Sequence, residues 1–350
     1  MFKRKDIFLS ALLCALMINN VSAQDKSLKE IKETSAKKFN DDTTHISGWR
    51  KGGLYSLGIG QGGSRNWAAG AEKFSFSIAA NTGLFANYKA GRFSMRNTLD
   101  LGYSLVNTTS QGVRKTDDKI DLYTKSGYDL TKKTSVAIVA NFRTQFASGY
   151  DYDYLGEGLQ RRTSGFMAPG YLILAPGIDY HPSDFLSVFV SPVSGRFVFV
   201  TNDPKSYYYE NGLIPGGPGY ETPLAVLYGV DPARKVRAEL GGFASVNFSK
   251  EIIKNVAYKS RLDLYSNYLS TTDFEVIGPD QLAITKQGSS PEKIDIFWTN
   301  LFVMKVNKYL NVSFAADIIY DDDVKQFGTN NNSAAMQFRS QLTVGLAGTF

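Results

Sequence analysis

A period-two alternation of apolar and polar residues runs through the chain from about Trp49 to its end. In the clearest stretch, residues 93–107, apolar residues such as Leu99 fall mainly on odd positions, and polar residues such as Arg96 and Asp100 on even ones. Successive side chains of a β-strand point to opposite faces, whereas a helix repeats about every 3.6 residues. The pattern therefore predicts strands with one apolar and one polar face.

Twelve strands are predicted, and most are longer than the roughly five or six residues of a typical globular strand. Such lengths suit tilted strands that cross a bilayer, and an even number is usual in single-chain outer-membrane barrels. The predicted strands span residues 49–60, 73–88, 93–107, 118–131, 134–148, 166–180, 185–200, 236–248, 255–271, 293–304, 309–321 and 334–350.

The connections between these strands alternate in length, as they do in barrels with short periplasmic turns and long extracellular loops. We expect short turns at 89–92, 131–133, 181–184, 249–254 and 305–308, and long loops at 61–72, 108–117, 149–165, 201–235, 272–292 and 322–333. Because backbone polar groups in lipid must all be paired, the sheet has to close. The predicted fold is an all-β, transmembrane antiparallel barrel of about twelve strands, of outer-membrane type.

The N-terminus predicts export. Residues 3–5 are basic, residues 7–18 are apolar, and Val21-Ser22-Ala23 forms a small-residue cleavage site before Gln24. We expect a signal peptide at 1–23, a polar periplasmic tail at 24–48 and the barrel at 49–350. The final amphipathic strand ends on Phe350, which we interpret as the signal for the barrel assembly machinery. The expected location is the outer membrane of a Gram-negative bacterium.

Charged residues on the polar face are expected to line the lumen, where each charge must be either ion-paired or hydrated. The basic and acidic residues on this face balance, which argues against a strongly ion-selective pore. The aromatic residues are assigned to girdles at the membrane interfaces, with Tyr88, Tyr128, Tyr180, Tyr268, Trp298 and Tyr320 as members. The candidate lumen residues are Arg96, Asp100, Lys125, Asp129, Arg143, Arg237, Glu239, Arg261, Asp263, Asp295, Asp317 and Arg339, together with Lys119, Asp121, Asp179 and Lys259.

No catalytic, metal or cofactor site is predicted. The single cysteine, Cys14, lies in the signal peptide, and of the two histidines, His181 falls in a predicted turn and suits no lipid-facing hydrolase site. The acidic run 321–323 is attributed to a solvated loop rather than to a calcium site. Removal of residues 1–23, which contain three basic residues and one acidic residue, lowers the net charge from +6 to about +4, which is too small to indicate nucleic-acid binding. Expected partners are outer-membrane lipid, lipopolysaccharide and the assembly machinery.

Two features leave the local structure open. Pro176 and Pro192 lie inside predicted strands, where a missing donor interrupts the ladder, so we expect bulges near them and an inward turn of Arg196. The loop at 201–235 is long enough to fold over or into the barrel mouth, but it could equally be a variable surface loop.

Three segments resemble an outer-membrane family of Bacteroidota that is classed only as a domain of unknown function. They are residues 66–70, which contain Asn66, Trp67 and Gly70, and residues 175–182 and 191–196. The chain departs from the family at Ala71, where a second glycine is common. The resemblance implies location and architecture, and no ligand or activity.

The sequence predicts a non-enzymatic outer-membrane barrel that passes a small solute, passively or through a gate, along a narrow charged lumen. The alternative is a structural or interaction protein whose extracellular loops or periplasmic tail bind surface glycans or partner proteins.

Overall fold

The computed structural model of the chain describes residues 47–64, 72–152, 154, 159–217, 219–307, 310–325, 327 and 333–349. Within these residues twelve antiparallel strands form a closed barrel, and four more form two small two-stranded sheets. In chain order the strands are β1 (Gly48–Gly63), β2 (Phe74–Ala90), β3 (Phe93–Thr108), β4 (Gly112–Asp129), β5 (Thr134–Thr144), β6 (Gly149–Asp151), β7 (Arg161–Ser164), β8 (Gly170–Ser183), β9 (Leu186–Phe199), β10 (Val236–Ile253), β11 (Val256–Asn267), β12 (Ser270–Gly278), β13 (Gln281–Ser289), β14 (Ile294–Lys305), β15 (Leu310–Tyr320) and β16 (Gln337–Thr349).

Neighbouring barrel strands are antiparallel throughout, and β1 closes the sheet by pairing with both β2 and β16. The order around the barrel is β1, β16, β15, β14, β11, β10, β9, β8, β5, β4, β3, β2. The predicted fold class is confirmed, and each predicted strand overlaps one barrel strand. No helix long and apolar enough to cross a bilayer occurs in the described part of the chain.

Several predicted boundaries are wrong because strand pairing continues beyond the apolar pattern. The loop expected at 108–117 is a turn at 109–111, since β3 and β4 remain paired up to Thr108 and Gly112. His181 belongs to β8 rather than to the following turn, and β10 extends to Ile253. Polar residues can form a paired hairpin in water, so hydrophobic alternation does not mark where the hairpin ends.

Two long connections contain hairpins that the sequence did not predict. β6 pairs with β7 inside the β5–β8 connection, and β12 pairs with β13 inside the β11–β14 connection. The β9–β10 connection contains two short 3₁₀ helices, Glu210–Gly212 and Val226–Tyr228. The long connections therefore carry ordered structure at the mouth of the barrel.

The prolines expected to interrupt the ladder do so. The register of β8 and β9 is irregular between Leu174 and Ile178, a stretch that includes Pro176. The β9–β10 register shifts between Gly241 and Phe243, opposite Pro192. The expected bulges are confirmed, and beyond them the buried Arg196 pairs with Glu239 of β10.

Alternate residues face the two sides of the wall, as the sequence predicts. On β5, Val136 and Ile138 are 49% and 57% exposed on the outer surface, whereas Ala137 and Val139 are buried. However, the predicted lumen lining did not include a buried apolar cluster on the inner surface of β4, β5 and β8–β11. Its members are Tyr123, Ala137, Val139, Ile173, Ala175, Phe189, Phe243 and Tyr265.

The outer surface near the short turns carries an aromatic belt. The ring of Tyr88 lies 5.2 Å from that of Trp49 and 6.3 Å from that of Phe93. A second run of neighbouring rings joins Phe185, Phe248, Tyr258, Phe302 and Phe314. Belts of this kind lie at the lipid headgroup level of membrane proteins.

The short-turn end is also strongly basic among the described residues. Four acidic residues lie there, namely Asp129, Asp179, Asp184 and Glu251, against nine basic ones. We call eight of these basic residues the basic rim, namely Arg50, Lys51, Lys89, Arg92, Lys132, Lys133, Lys250 and Lys254; the ninth, Lys305, is left out because its Nζ is buried. In the long loops, by contrast, acidic residues outnumber basic ones.

Candidate functional site

The lumen contains a cavity of about 280 Å³ in the half of the barrel nearer the short turns. Asn87 and Arg96, a cross-strand pair close to the β2–β3 turn, line the part of the cavity nearest the short turns. Asp117 and Arg339 line it further from the turns. The interior is thus neither a uniform channel nor a fully packed core.

The cavity wall is polar and carries charges of both signs. Nine of the sixteen predicted lumen residues lie on this wall, namely Arg96, Asp100, Lys119, Asp121, Lys125, Lys259, Arg261, Asp317 and Arg339. Lys125 pairs with Asp179 and donates a hydrogen bond of 3.2 Å to Ser187 Oγ. Lys119 and Asp100, which also line the cavity, form no ion pair with any residue that the structure describes.

A set of ion pairs that we call the central network joins opposite sides of the barrel. It comprises Asp121 of β4, Arg143 of β5, and Arg261 and Asp263 of β11. Arg143 pairs with Asp263 and lies 3.6 Å from Asp121, and Arg261 pairs with Asp121 and lies 3.3 Å from Asp263. Asn141 and Ser245 each donate a hydrogen bond of 2.7 Å, to Asp121 and Asp263 respectively. Each carboxylate therefore faces two guanidinium groups.

A second ion-paired cluster, the mouth network, lies nearer the long loops. Arg196 Nε is 2.6 Å from Glu239 and its Nη1 is 2.6 Å from Asp295, while Arg237 Nε is 2.8 Å from Glu239. Three predicted lumen residues, Arg237, Glu239 and Asp295, thus lie here and not on the cavity wall.

The mouth network also takes in the acidic run that follows β15. Asp321 and Asp323 lie within 3.5 Å of Arg196, and Asp323 lies 3.0 Å from Arg237. Burial raises the pKa of the Asp323 carboxyl, and Asp321 is only 7% exposed. The interpretation of residues 321–323 as solvated loop acidity is therefore wrong for these two carboxylates.

The β9–β10 connection, residues 200–235, folds into the mouth as a plug. Leu224 and Leu227 are each 1% exposed, and they belong to a buried cluster with Val198 of β9 and Val324 of the β15–β16 connection. Arg237 Nη1 donates to the Gly229 carbonyl oxygen over 3.3 Å, which ties the plug to the mouth network. This loop could fold over or into the mouth or be a variable surface loop, and in the structure it is inserted into the mouth.

The remaining predicted residues lie elsewhere. Asp129 pairs with Lys89 over 3.3 Å at the short-turn end, outside the cavity and both networks. The family-motif residues Asn66, Trp67 and Gly70 and the assembly residue Phe350 lie outside the described residues. Among the described residues, no group of three or more His, Cys, Asp or Glu side chains could hold a metal ion.

The sequence missed Asp117, Asp321 and Asp323 as interior charges. Asp117 has the same parity as Lys119 and Asp121, so a predicted β4 beginning one residue earlier would have included it. Asp321 and Asp323 follow the last residue of β15, and their loop position gives no periodic signal. Their burial depends on where the loop folds.

Three solved structures align with most of this chain at low sequence identity. The translocator domain of autotransporter NalP from Neisseria meningitidis is 10% identical, with a TM-score of 0.36 and coverage of 93% of this chain and 98% of that one. An outer membrane channel from Pseudomonas putida F1 is 9% identical, with a TM-score of 0.36 and coverage of 89% and 98%. The toluene transporter TodX from P. putida is 12% identical, with a TM-score of 0.28 and coverage of 87% and 80%.

No curated protein matches the sequence significantly. A family model does match, and it covers residues 59–150, from the end of β1 to β6. The similar segments at 175–182 and 191–196 lie outside that match. The expected resemblance to a domain of unknown function is confirmed, since residues 59–150 match the family described as "Protein of unknown function (DUF3078)".

Proposed function

We propose that the barrel passes a small polar solute across the outer membrane through a lumen that is closed until its mouth opens. The observation that carries the proposal is the cavity of about 280 Å³, which is lined by charged and amide side chains inside a closed sheet. A cavity of this size suits a small molecule. The polar wall favours hydrophilic solutes over apolar ones.

Passage in this proposal requires a gate. The central network joins β4 and β5 to β11 across the lumen, and the plug packs between Val198 and Val324 near the long loops. A solute leaving the cavity toward the loops would have to separate these ion pairs and displace the plug. We therefore favour gated passage over a permanently open pore.

Single-channel recording in planar bilayers tests the proposal. The wild-type barrel should show rare openings, and replacing residues 203–233 with a short Gly-Ser linker should make them frequent. Heat-modifiable migration on gels verifies that both proteins are folded barrels. If both are folded and neither conducts small ions or solutes, passage through the lumen is rejected.

A non-transporting interaction protein is the second candidate, because its loops present apolar side chains to solvent. On the β12–β13 hairpin, Ile277 is 56% and Ile284 is 60% exposed. Ion pairs across the lumen would then serve stability alone. Binding of purified surface glycans by the folded barrel, lost when residues 270–289 are replaced, would favour this candidate if no conductance is found.

We also infer export by a cleaved signal peptide, a non-enzymatic role, and contacts with outer-membrane lipid, lipopolysaccharide and the barrel assembly machinery. The apolar outer surface of the closed sheet supports a membrane location, since residues such as Ile138 and Leu342 are more than half exposed. N-terminal sequencing of protein from the outer-membrane fraction tests cleavage, which should leave Gln24 as the first residue.

A further inference from the structure

The basic rim carries more positive charge than its own acidic residues can neutralise. Arg92, Lys132, Lys133 and Lys254 are exposed in the short turns, and none forms an ion pair with a residue that the structure describes. Lys89 is different, because it pairs with Asp129 over 3.3 Å. Clustered cations without counter-charges attract anions from their surroundings.

The turns that carry these cations are fixed to their neighbours. The Asp129 amide donates to the Arg92 carbonyl oxygen over 2.8 Å, and the His181 amide donates to the Lys133 carbonyl oxygen over 2.8 Å. These bonds join the β2–β3 turn to the end of β4 and the β4–β5 turn to β8. Arg92, Lys132 and Lys133 therefore lie along one continuous stretch of the barrel edge, from the β2–β3 turn to β8.

The aromatic belt places this edge at the headgroup level of a membrane. The Lys250 ammonium lies 4.5 Å from the centre of the Phe185 ring, and that of Lys51 lies 5.7 Å from the Trp49 ring. Trp49 itself is 54% exposed. Basic side chains beside interfacial aromatic rings have their stems in the lipid boundary and their charges among headgroups.

We propose that the basic rim binds anionic phospholipid headgroups of the leaflet at the short-turn end, which is the periplasmic leaflet in outer-membrane barrels. Each basic residue near an anionic bilayer contributes about 1 kcal/mol, so several together enrich anionic lipid around the barrel. A contact with acidic cell-wall polymer would also use positive charge, but it would not need the cations to adjoin an aromatic belt. The arrangement therefore favours lipid.

Fluorescence quenching by brominated lipids tests this proposal, with Trp49 as the reporter. The full mature chain carrying Trp67→Phe and Trp298→Phe is reconstituted in phosphatidylcholine vesicles containing brominated phosphatidylglycerol or brominated phosphatidylcholine. Trp49 quenching should show a preference for phosphatidylglycerol that weakens at high salt. The reciprocal reporter, with Trp49→Phe and Trp67→Phe, leaves Trp298 on β14 and should show little preference.

Matched charge variants separate the effect of the basic rim from the effect of the net charge of the protein. Replacing Arg92, Lys132 and Lys133 with Gln should lower the preference at Trp49, by up to about fivefold per charge removed. The control replaces Lys73, Arg234 and Lys286 in the loops with Gln, and it should leave the preference unchanged although the net charge falls equally. No preference in the parent, or equal loss in both variants, overturns the proposal. Rim-dependent binding to purified cell-wall sacculi without lipid preference would replace it with a cell-wall contact.

Discussion

Arg339 of β16 forms an ion pair with Asp117 of β4 across three intervening strands, and it also pairs with Asp317 of the adjacent β15. Both carboxylates are mostly buried, with side chains 8% exposed, whereas the Arg339 side chain is 39% exposed. One cation on the cavity wall thus neutralises acidic residues on two sides of the lumen. Because the arginine is partly solvated, its contribution is smaller than that of a fully buried pair.

Replacing Arg339 with Gln should lower the free energy of unfolding by about 1 to 2 kcal/mol, since two buried carboxylates lose their cation. Urea titration of the folded fraction in vesicles, read from heat-modifiable migration, measures this change. The double variant Arg339→Gln, Asp117→Asn should recover part of the loss. Equal stability of the wild type and the single variant would show that the pair contributes nothing measurable.

Replacing Arg261 with Gln should cost about 3 kcal/mol, because Asp121 and Asp263 are mostly buried and lose one of their two arginines. Arg143→Gln should act in the same direction, since it faces the same two carboxylates. The control is Lys119→Gln, which removes a cavity-wall cation that forms no ion pair with a described residue and acts on Asp121 and Asp317 only at longer range, so it should cost clearly less than Arg261→Gln. A comparable loss in the control would contradict this role of the central network.

The Lys119→Gln variant also tests whether ions pass through the lumen. If the barrel conducts, Lys119→Gln should shift its ion selectivity toward cations, because one positive charge leaves the cavity wall. Reversal potentials across a salt gradient measure the shift. An unchanged reversal potential in a conducting barrel would mean that permeating ions do not pass Lys119.

The strands were predictable because each one divides its side chains between two environments. Ile138 and Leu342 contact the exterior while their neighbours Ala137 and Gln341 face inward, and this alternation is written directly in the sequence. The inner surface is less regular. Val139 is fully buried inside the barrel, so an apolar residue at a strand position does not by itself identify the lipid face.

The closed mouth was not predictable for a different reason. Asp321 and Asp323 are adjacent in sequence to a strand end, but their partners Arg196 and Arg237 lie on β9 and β10. Leu224 similarly becomes buried only because the plug meets Val198 and Val324. These contacts depend on loop conformation, which carries no hydrophobic period.

Shortening a buried side chain of the plug should loosen it. Leu224→Ala leaves a cavity beside Val198 and Val324, a change that typically costs about 2 to 5 kcal/mol in a packed core. The plug should then become sensitive to protease added on the loop side. Leu213→Ala is the control from the same connection, since Leu213 is 51% exposed and its loss should leave cleavage unchanged. Equal protection of the wild type and Leu224→Ala would argue against a separately opening plug.

The closure of the barrel should depend on Gly345. This residue pairs with Gly58 where β16 meets β1, a seam for which the structure shows five residue pairs. A Cβ atom at Gly345 would overlap the backbone carbonyl of Leu57, so Gly345→Val has to displace one strand from the other. Since lipid offers no alternative partner for the freed backbone groups, the variant should fold poorly and lose its heat-modifiable form.

Gly288→Val is the matched control, because Gly288 lies in β13 with no atom within 4 Å of an added Cβ. Normal folding of Gly345→Val would show that the seam tolerates a wider separation of β1 and β16.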